Sequence, residues 1–192
     1  SDELLKYYQR WTKENKYDQD MVDLEYVAPK EAVLLLKKYK LNNKCKILDA
    51  GCGTGLVGVE LKKNGYSNIE GVDFSQNMLD LIPKGIYKKI DKIDLNKPLK
   101  FKTDTFDVVM CVGTFTYGHV KPKALDELIR IIDNKGLICF SINEGIYEKY
   151  GFDKKINELT KNKLWNVKEF FKSNYIVNKD VNAWYCLSKI IK

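Results

Sequence analysis

Four glycines fall within eight residues of the stretch "LDAGCGTGLVGVEL" (48–61): Gly51, Gly53, Gly55 and Gly58. An apolar run precedes them and an amphipathic run follows. A strand that turns through glycines into a helix offers a ligand free backbone N–H groups and the positive end of a helix dipole. Glycine also lets the main chain approach closely and adopt positive φ. Such a turn suits a nucleotide-like ligand. Asp73 ends the next apolar run, 18 residues past Gly55, where its carboxylate is placed to accept hydrogen bonds from both hydroxyls of a ribose. Two ligand chemistries satisfy this much. Gly53, Gly55 and Gly58 spell the G-x-G-x-x-G of dinucleotide folds. Asp49, just ahead of the glycines, favours the other chemistry: a carboxylate there repels a pyrophosphate and attracts an ammonium or a sulfonium.

The elements that must hold these groups are written in the same chain. "KCKILDA" (44–50) reads as a buried strand and "LVGVELKKNG" as a helix closing at Gly65. "NIEGVD" (68–73) is a second strand, followed by "SQNMLDLI" with Ser75 as N-cap and Pro83 just past the end. "GIYKKIDKID" supplies a third strand, "FDVVMCVG" (106–113) a fourth and "KGLICFSIN" (135–143) a fifth, with a helix over "KALDELIRIID" (123–133). Strands alternating with helices imply a parallel, doubly wound α/β sheet with helices on both faces. The tail breaks that rhythm: "NYIVNKDVNAWYCLSKII" reads as two strands joined by a short turn, an antiparallel C-terminal hairpin. The expected sheet has about seven strands. The length of 192 residues suits one domain spanning 1–192, with a helical segment at 1–42 leading into a core at 43–192. Pro29 opens a helix through "KEAVLLLKKYK", and the aromatic residues Tyr7, Tyr8, Trp11 and Tyr17 mark the leading segment as a lid.

Composition narrows the function. Charged residues make up 31% and apolar residues 44%, an ordinary globular balance. No apolar run approaches the roughly 20 residues that span a bilayer, so the reading is a cytoplasmic protein without a membrane partner. The five cysteines are widely spaced and the single histidine is His119, a set that does not build a zinc site, and no metal is expected. Net charge is +7, yet the lysines are scattered among acids and Arg10 and Arg130 are the two arginines. Clustered cations with arginine for base edges mark nucleic-acid surfaces, so no specific nucleic-acid partner is expected.

With "ILDAGCGTG", "GVDFSQNML" and "FDVVMCVGTF" on the page, the chain resembles the class I S-adenosylmethionine-dependent methyltransferases over roughly residues 44–192. "YDQDMVDLEYVAP" ahead of a helix is similar to the Williams–Beuren-region methyltransferase-like proteins, and extends the match to about residue 17. The resemblance implies a Rossmann-like fold and S-adenosylmethionine as cofactor, leaving S-adenosylhomocysteine as product. It places Gly51, Cys52, Gly53 and Gly55 in the loop under the methionine part, Asp49 near its amino group, and Tyr17 and Cys111 against the same ligand. Asp73 is assigned to the ribose, Phe74 and Met78 to the adenine faces, and Asp94 to the adenine amine, with Asp91 its alternative if the strand register differs. Cys111 to Thr114 floor the transfer site, and 144–165 is left to shape the acceptor pocket.

The expected reaction is in-line methyl transfer to a nucleophilic N, O or S of a small molecule or a protein side chain. His119, with Tyr117 beside it, is the candidate base, because a histidine titrates near neutrality. Two other readings stand beside this one. A non-catalytic S-adenosylmethionine-binding partner protein would carry the same loop. An NAD-binding oxidoreductase would use the dinucleotide pattern, but the Y-x-x-x-K pair of Tyr150 and Lys154 also occurs at Tyr26/Lys30, Tyr117/Lys121, Tyr175/Lys179 and Tyr185/Lys189. A monomer is favoured.

Overall fold

The structure, a computed structural model, describes residues 16–118 and 120–192, with side chains from Gln19 onward. Its centre is β1 (Ile47–Ala50), buried at every position, as a strand covered on both faces must be. β2 (Ile69–Asp73) and β4 (Phe106–Phe115) flank it in parallel. β3 (Lys89–Lys92) extends the sheet beyond β2, and β5 (Ile132–Asn143) runs parallel beyond β4. β7 (Val181–Ile190) pairs antiparallel with β5, and β6 (Trp165–Ile176) antiparallel outside β7. The order is therefore β3-β2-β1-β4-β5-β7-β6, the seven-stranded mixed sheet with an antiparallel C-terminal hairpin that the sequence implies.

Strand alternation divides the apolar side chains between two cores. Ile47, Val108 and Met110 face α2 (Ala28–Lys37) and α3 (Leu56–Lys63), which contribute Ala32, Leu36, Val57 and Leu61. Leu48, Val109, Cys111 and Phe140 face the other way, onto Leu125 and Leu128 of α5 (Ala124–Arg130) and Phe152 and Leu159 of α6 (Phe152–Lys161). Pro29 sits in the first turn of α2, where its missing N–H costs nothing. The remaining helices are α1 (Lys16–Asp23) and the single turn α4 (Gln76–Leu79). No helix among the described residues is long and apolar enough to cross a membrane.

Three boundaries differ from those the sequence predicts, each for a physical reason. The helix expected over 123–133 stops at Arg130, and β5 starts at Ile132. Here the backbone is needed elsewhere: Ile131 O accepts Thr105 N at 2.8 Å and Phe106 N at 3.0 Å, and Ile131 and Ile132 are fully buried. The third strand shrinks to Lys89–Lys92, because a lysine-rich edge strand has an exposed face. The hairpin's first arm begins at Trp165, ten residues before "YIV", because β7 supplies a ladder of that length.

Candidate functional site

The strand order reverses between β1 and β4, and the crevice outside the carboxyl ends of such strands is where doubly wound sheets bind ligands. A cleft of about 1090 Å³ opens there. Its near wall is the glycine loop. Gly51 has φ +78, and a Cβ on it would lie 2.1 Å from Thr114 Oγ1. Thr114 Oγ1 in turn faces the carbonyls of Ala50 at 3.2 Å and Gly51 at 3.3 Å, so β4 clasps the loop where a side chain would otherwise stand. Gly53, at φ +53, lines the cleft, and a Cβ there would touch only Met78 Cε, at 3.5 Å.

Asp73 ends β2 and lines the cleft. Its Oδ2 accepts Gly53 N at 2.9 Å and its Oδ1 accepts Ser75 N at 2.8 Å. The carboxylate therefore locks the glycine loop to the end of β2. A carboxylate has about four lone-pair sites, so both oxygens keep capacity for hydroxyls arriving from the cleft. Burial raises its pKa, opposed by the N–H donors of Ser75, Gly53 and Phe74. Phe74 and the buried Met78 supply apolar wall beside it. Asp94 also lines the cleft, its Oδ1 accepting Asn96 N at 2.9 Å. Asp91 does not line it; it lies on β3, paired with Lys89 Nζ at 2.5 Å. The structure thus gathers Gly51, Cys52, Gly53, Asp73, Phe74, Met78 and Asp94 around one space.

Asp49, Gly55 and Cys111 lie behind that wall. Gly55, at φ +92, is the N-cap of α3. Cys111 is fully buried and its thiol is pushed up by burial, as is that of Cys52. Neither sulfur is an activated thiolate. Asp49 is fully buried under the loop, where Tyr87 Oη donates to its Oδ2 at 2.5 Å; among the described residues its Oδ1 has no partner. Burial raises the Asp49 carboxyl to about 7, against the opposing hydrogen bond from Tyr87.

That shift fixes a pH dependence. The folded protein binds a proton at Asp49 that the unfolded chain, with a carboxyl near 4, has already lost. Stability from this group is complete below about pH 4 and falls as pH rises toward 7. Wild type is expected to lose stability relative to Asp49→Asn by a few kcal/mol across that window. Urea titrations at stepped pH test this, and a difference that stays flat from pH 4 to 7 would contradict it.

Tyr117 stands at the cleft mouth, 52% exposed, its ring edge-on to Tyr150 at 6.2 Å and beneath Lys149 Nζ at 5.6 Å. His119, Tyr7, Tyr8 and Trp11 lie outside the described residues, and so does the side chain of Tyr17, whose backbone belongs to α1. The segment 144–165 lines no part of the cleft: Phe152, Ile156 and Leu159 of α6 fill the core instead. The far wall comes from residues to which the sequence assigns no place in the site. Met21, Tyr26 and Pro29 enter from the N-terminal side, and Tyr175 and Ile176 from the end of β6. Tyr26 and Tyr175 are 149 positions apart in the chain, so no local pattern signals their meeting.

A family model described as a methyltransferase domain matches residues 47–136. Over 168 residues the chain is 33% identical to methyltransferase-like protein 27 of Homo sapiens, an alignment covering 84% of this chain and 67% of that protein. It is 26% identical over 140 residues to ribosomal protein L11 methyltransferase of Thermotoga neapolitana, covering 72% of this chain and 50% of the relative. The chain spans two thirds of the human relative and half of the bacterial one. Among solved structures, the methyltransferase in complex with the Haloferax volcanii Trm112 methyltransferase activator aligns over 96% of both chains with TM-score 0.74 and 15% identity, a likeness of fold.

Proposed function

The chain belongs to the class I S-adenosylmethionine-dependent methyltransferases, and from that premise we propose that its cleft holds S-adenosylmethionine along the β2 side and a methyl acceptor along the β4–β6 side. The observation that carries this reading is the Asp73 carboxylate, fixed by two backbone N–H groups and lining the cleft beside Gly53, Phe74 and Met78. These residues fit the cofactor's nucleoside: Asp73 for the ribose hydroxyls, Phe74 and Met78 for the adenine faces, and Asp94 for the adenine amine. Gly51 to Gly53 bring bare backbone under the methionine part. Asp49 acts from beneath the loop, bonded to Tyr87, and a cationic ligand above it would draw its raised pKa back toward the charged form.

When bound, S-adenosylmethionine supplies an electrophilic methyl group whose bonding electrons return to sulfur as the acceptor's lone pair attacks. The protein's share is alignment and exclusion of water. Thr114 keeps the loop in register with β4, and the walls from Met21 to Pro29 and from Tyr175 to Ile176 fix where an acceptor lies. The acceptor's proton leaves to solvent after or during attack. A dedicated base is required only for an acceptor whose pKa lies well above the working pH; Tyr117, at the mouth, and His119 are the residues proposed for that case.

A small molecule is favoured over a protein side chain as acceptor, and no specific nucleic acid is expected. A screen with radiolabelled methyl donor across metabolite and protein fractions tests the reading. Label is expected in a small-molecule fraction with wild type and not with Asp73→Ala. Label confined to protein would overturn the acceptor class. Binding of S-adenosylhomocysteine with no transfer to any fraction would favour a non-catalytic partner protein.

A further inference from the structure

The acceptor side of the cleft is built where two distant segments of the chain meet. Residues 24–27 run antiparallel to the end of β6 and the turn beyond it: Val27 N donates to Tyr175 O at 3.2 Å, Val177 N to Glu25 O at 3.3 Å, and Tyr26 bridges Ile176. This strap brings the rings of Tyr26 and Tyr175 edge to face, 5.1 Å apart, with their hydroxyls hydrogen-bonded to each other. Both hydroxyls stand over Gly113. A Cβ on that residue, whose φ is +78, would lie 2.3 Å from Tyr26 Oη and 3.6 Å from Tyr175 Oη. The phenol pair thus occupies the place of a side chain where β4 enters the cleft. Burial pushes the Tyr175 phenol up to about 12, so it keeps its proton at neutral pH.

Charge is distributed unevenly around the cleft. Lys97, Lys121 and Glu127 line the opposite end, tied to the loop after β3: Lys121 N donates to Asn96 Oδ1 at 3.0 Å, and Leu99 N to Glu127 Oε2 at 2.7 Å. The half bounded by Met21, Tyr26, Val112, Asn143, Tyr175 and Ile176 carries no charged side chain among the described lining residues. Among the described lining residues there, an ammonium or a carboxylate would shed water without gaining a counter-ion, at a cost of several kcal/mol. A neutral planar ring meets aromatic edges and apolar walls. The hydroxyl pair still offers its polar group both a donor and an acceptor.

We propose that this half of the cleft is a subsite for an uncharged aromatic small molecule, the nucleophile-bearing group held by the Tyr26–Tyr175 hydroxyl pair, with Tyr26 as the specificity-determining positioning residue. The proposal rests on the methyl-transfer reading above, since it concerns the acceptor of that reaction. Three rings of one size and different charge test it: phenol, benzoate and benzylamine, titrated by ligand-observed NMR into protein saturated with S-adenosylhomocysteine.

Phenol is expected to bind about tenfold or more tightly than either ion. Tyr26→Phe, which keeps the ring, is expected to weaken phenol by about two- to tenfold, and Tyr175→Phe by a similar factor. Each variant should lower the melting temperature by a few degrees, since a buried hydroxyl loses its partner, while the S-adenosylhomocysteine affinity stays unchanged. Benzylamine or benzoate binding as well as phenol, no phenol binding at 10 mM, or phenol affinity indifferent to both substitutions would each overturn the proposal. Failure of wild type to bind S-adenosylhomocysteine would instead overturn the reading it rests on.

Discussion

Asp73→Ala is expected to weaken S-adenosylhomocysteine binding by about a hundredfold or more. The proposed ribose contact consists of two charge-assisted hydrogen bonds, each worth about 1.5–3 kcal/mol, and each 1.4 kcal/mol is a factor of ten. The variant also unties the glycine loop, because Gly53 N loses the oxygen it reaches at 2.9 Å and Ser75 N the one at 2.8 Å. Asp73→Asn separates the two effects. Its amide oxygen still accepts one backbone N–H, so the loop keeps part of its brace while the charge is gone. Calorimetry should rank wild type above Asp73→Asn and Asp73→Ala weakest. Equal affinity in wild type and Asp73→Ala would remove Asp73 from the ribose.

The largest expected loss of stability lies in the core on the α5–α6 face of the sheet. Phe140 is fully buried on β5, stacked on Trp165 at 6.0 Å and edge-on to Phe115 at 5.8 Å. Phe115 in turn contacts Phe152 of α6 at 4.9 Å. Phe140→Ala empties the centre of this aromatic cluster, and β5 and α6 are too firmly packed to collapse into the space. A loss of about 3–5 kcal/mol is expected, seen as a lower urea midpoint at unchanged slope. A loss below about 1 kcal/mol would show that the cluster does not carry the packing assigned to it.

The parallel half of the fold is legible because its signals are local. "ILDA" and "FDVVMC" are apolar runs too polarised by flanking turns to be helices, and the glycines between "ILDA" and "LVGVEL" mark the loop directly. The same locality marks Gly51, Gly53 and Asp73, and the family resemblance adds Phe74 and Met78; all five lie within a few residues of a strand end and line the cleft. Asp49 was read by charge alone. What charge does not foretell is its burial: the side chain is fully enclosed, against a tyrosine 38 residues away. The far wall of the cleft was illegible for a different reason. Tyr26 and Tyr175 meet through the strap between 24–27 and the end of β6, a pairing fixed by the hairpin's outer arm and not by any spacing in the chain. Residues 144–165, by contrast, look available for a pocket in sequence, yet the helical period of Phe152, Ile156 and Leu159 turns them into the core.

The proposed function turns on the glycine-loop cleft recognising an adenosyl sulfur compound and not a dinucleotide. Its most direct test is a calorimetric titration of the wild-type chain with S-adenosylhomocysteine, run alone and then in excess NADH. Saturable binding at one site, unaffected by NADH and lost in Asp73→Ala, is the expected result. Displacement of S-adenosylhomocysteine by NADH, or full-strength binding that survives Asp73→Ala, would contradict it.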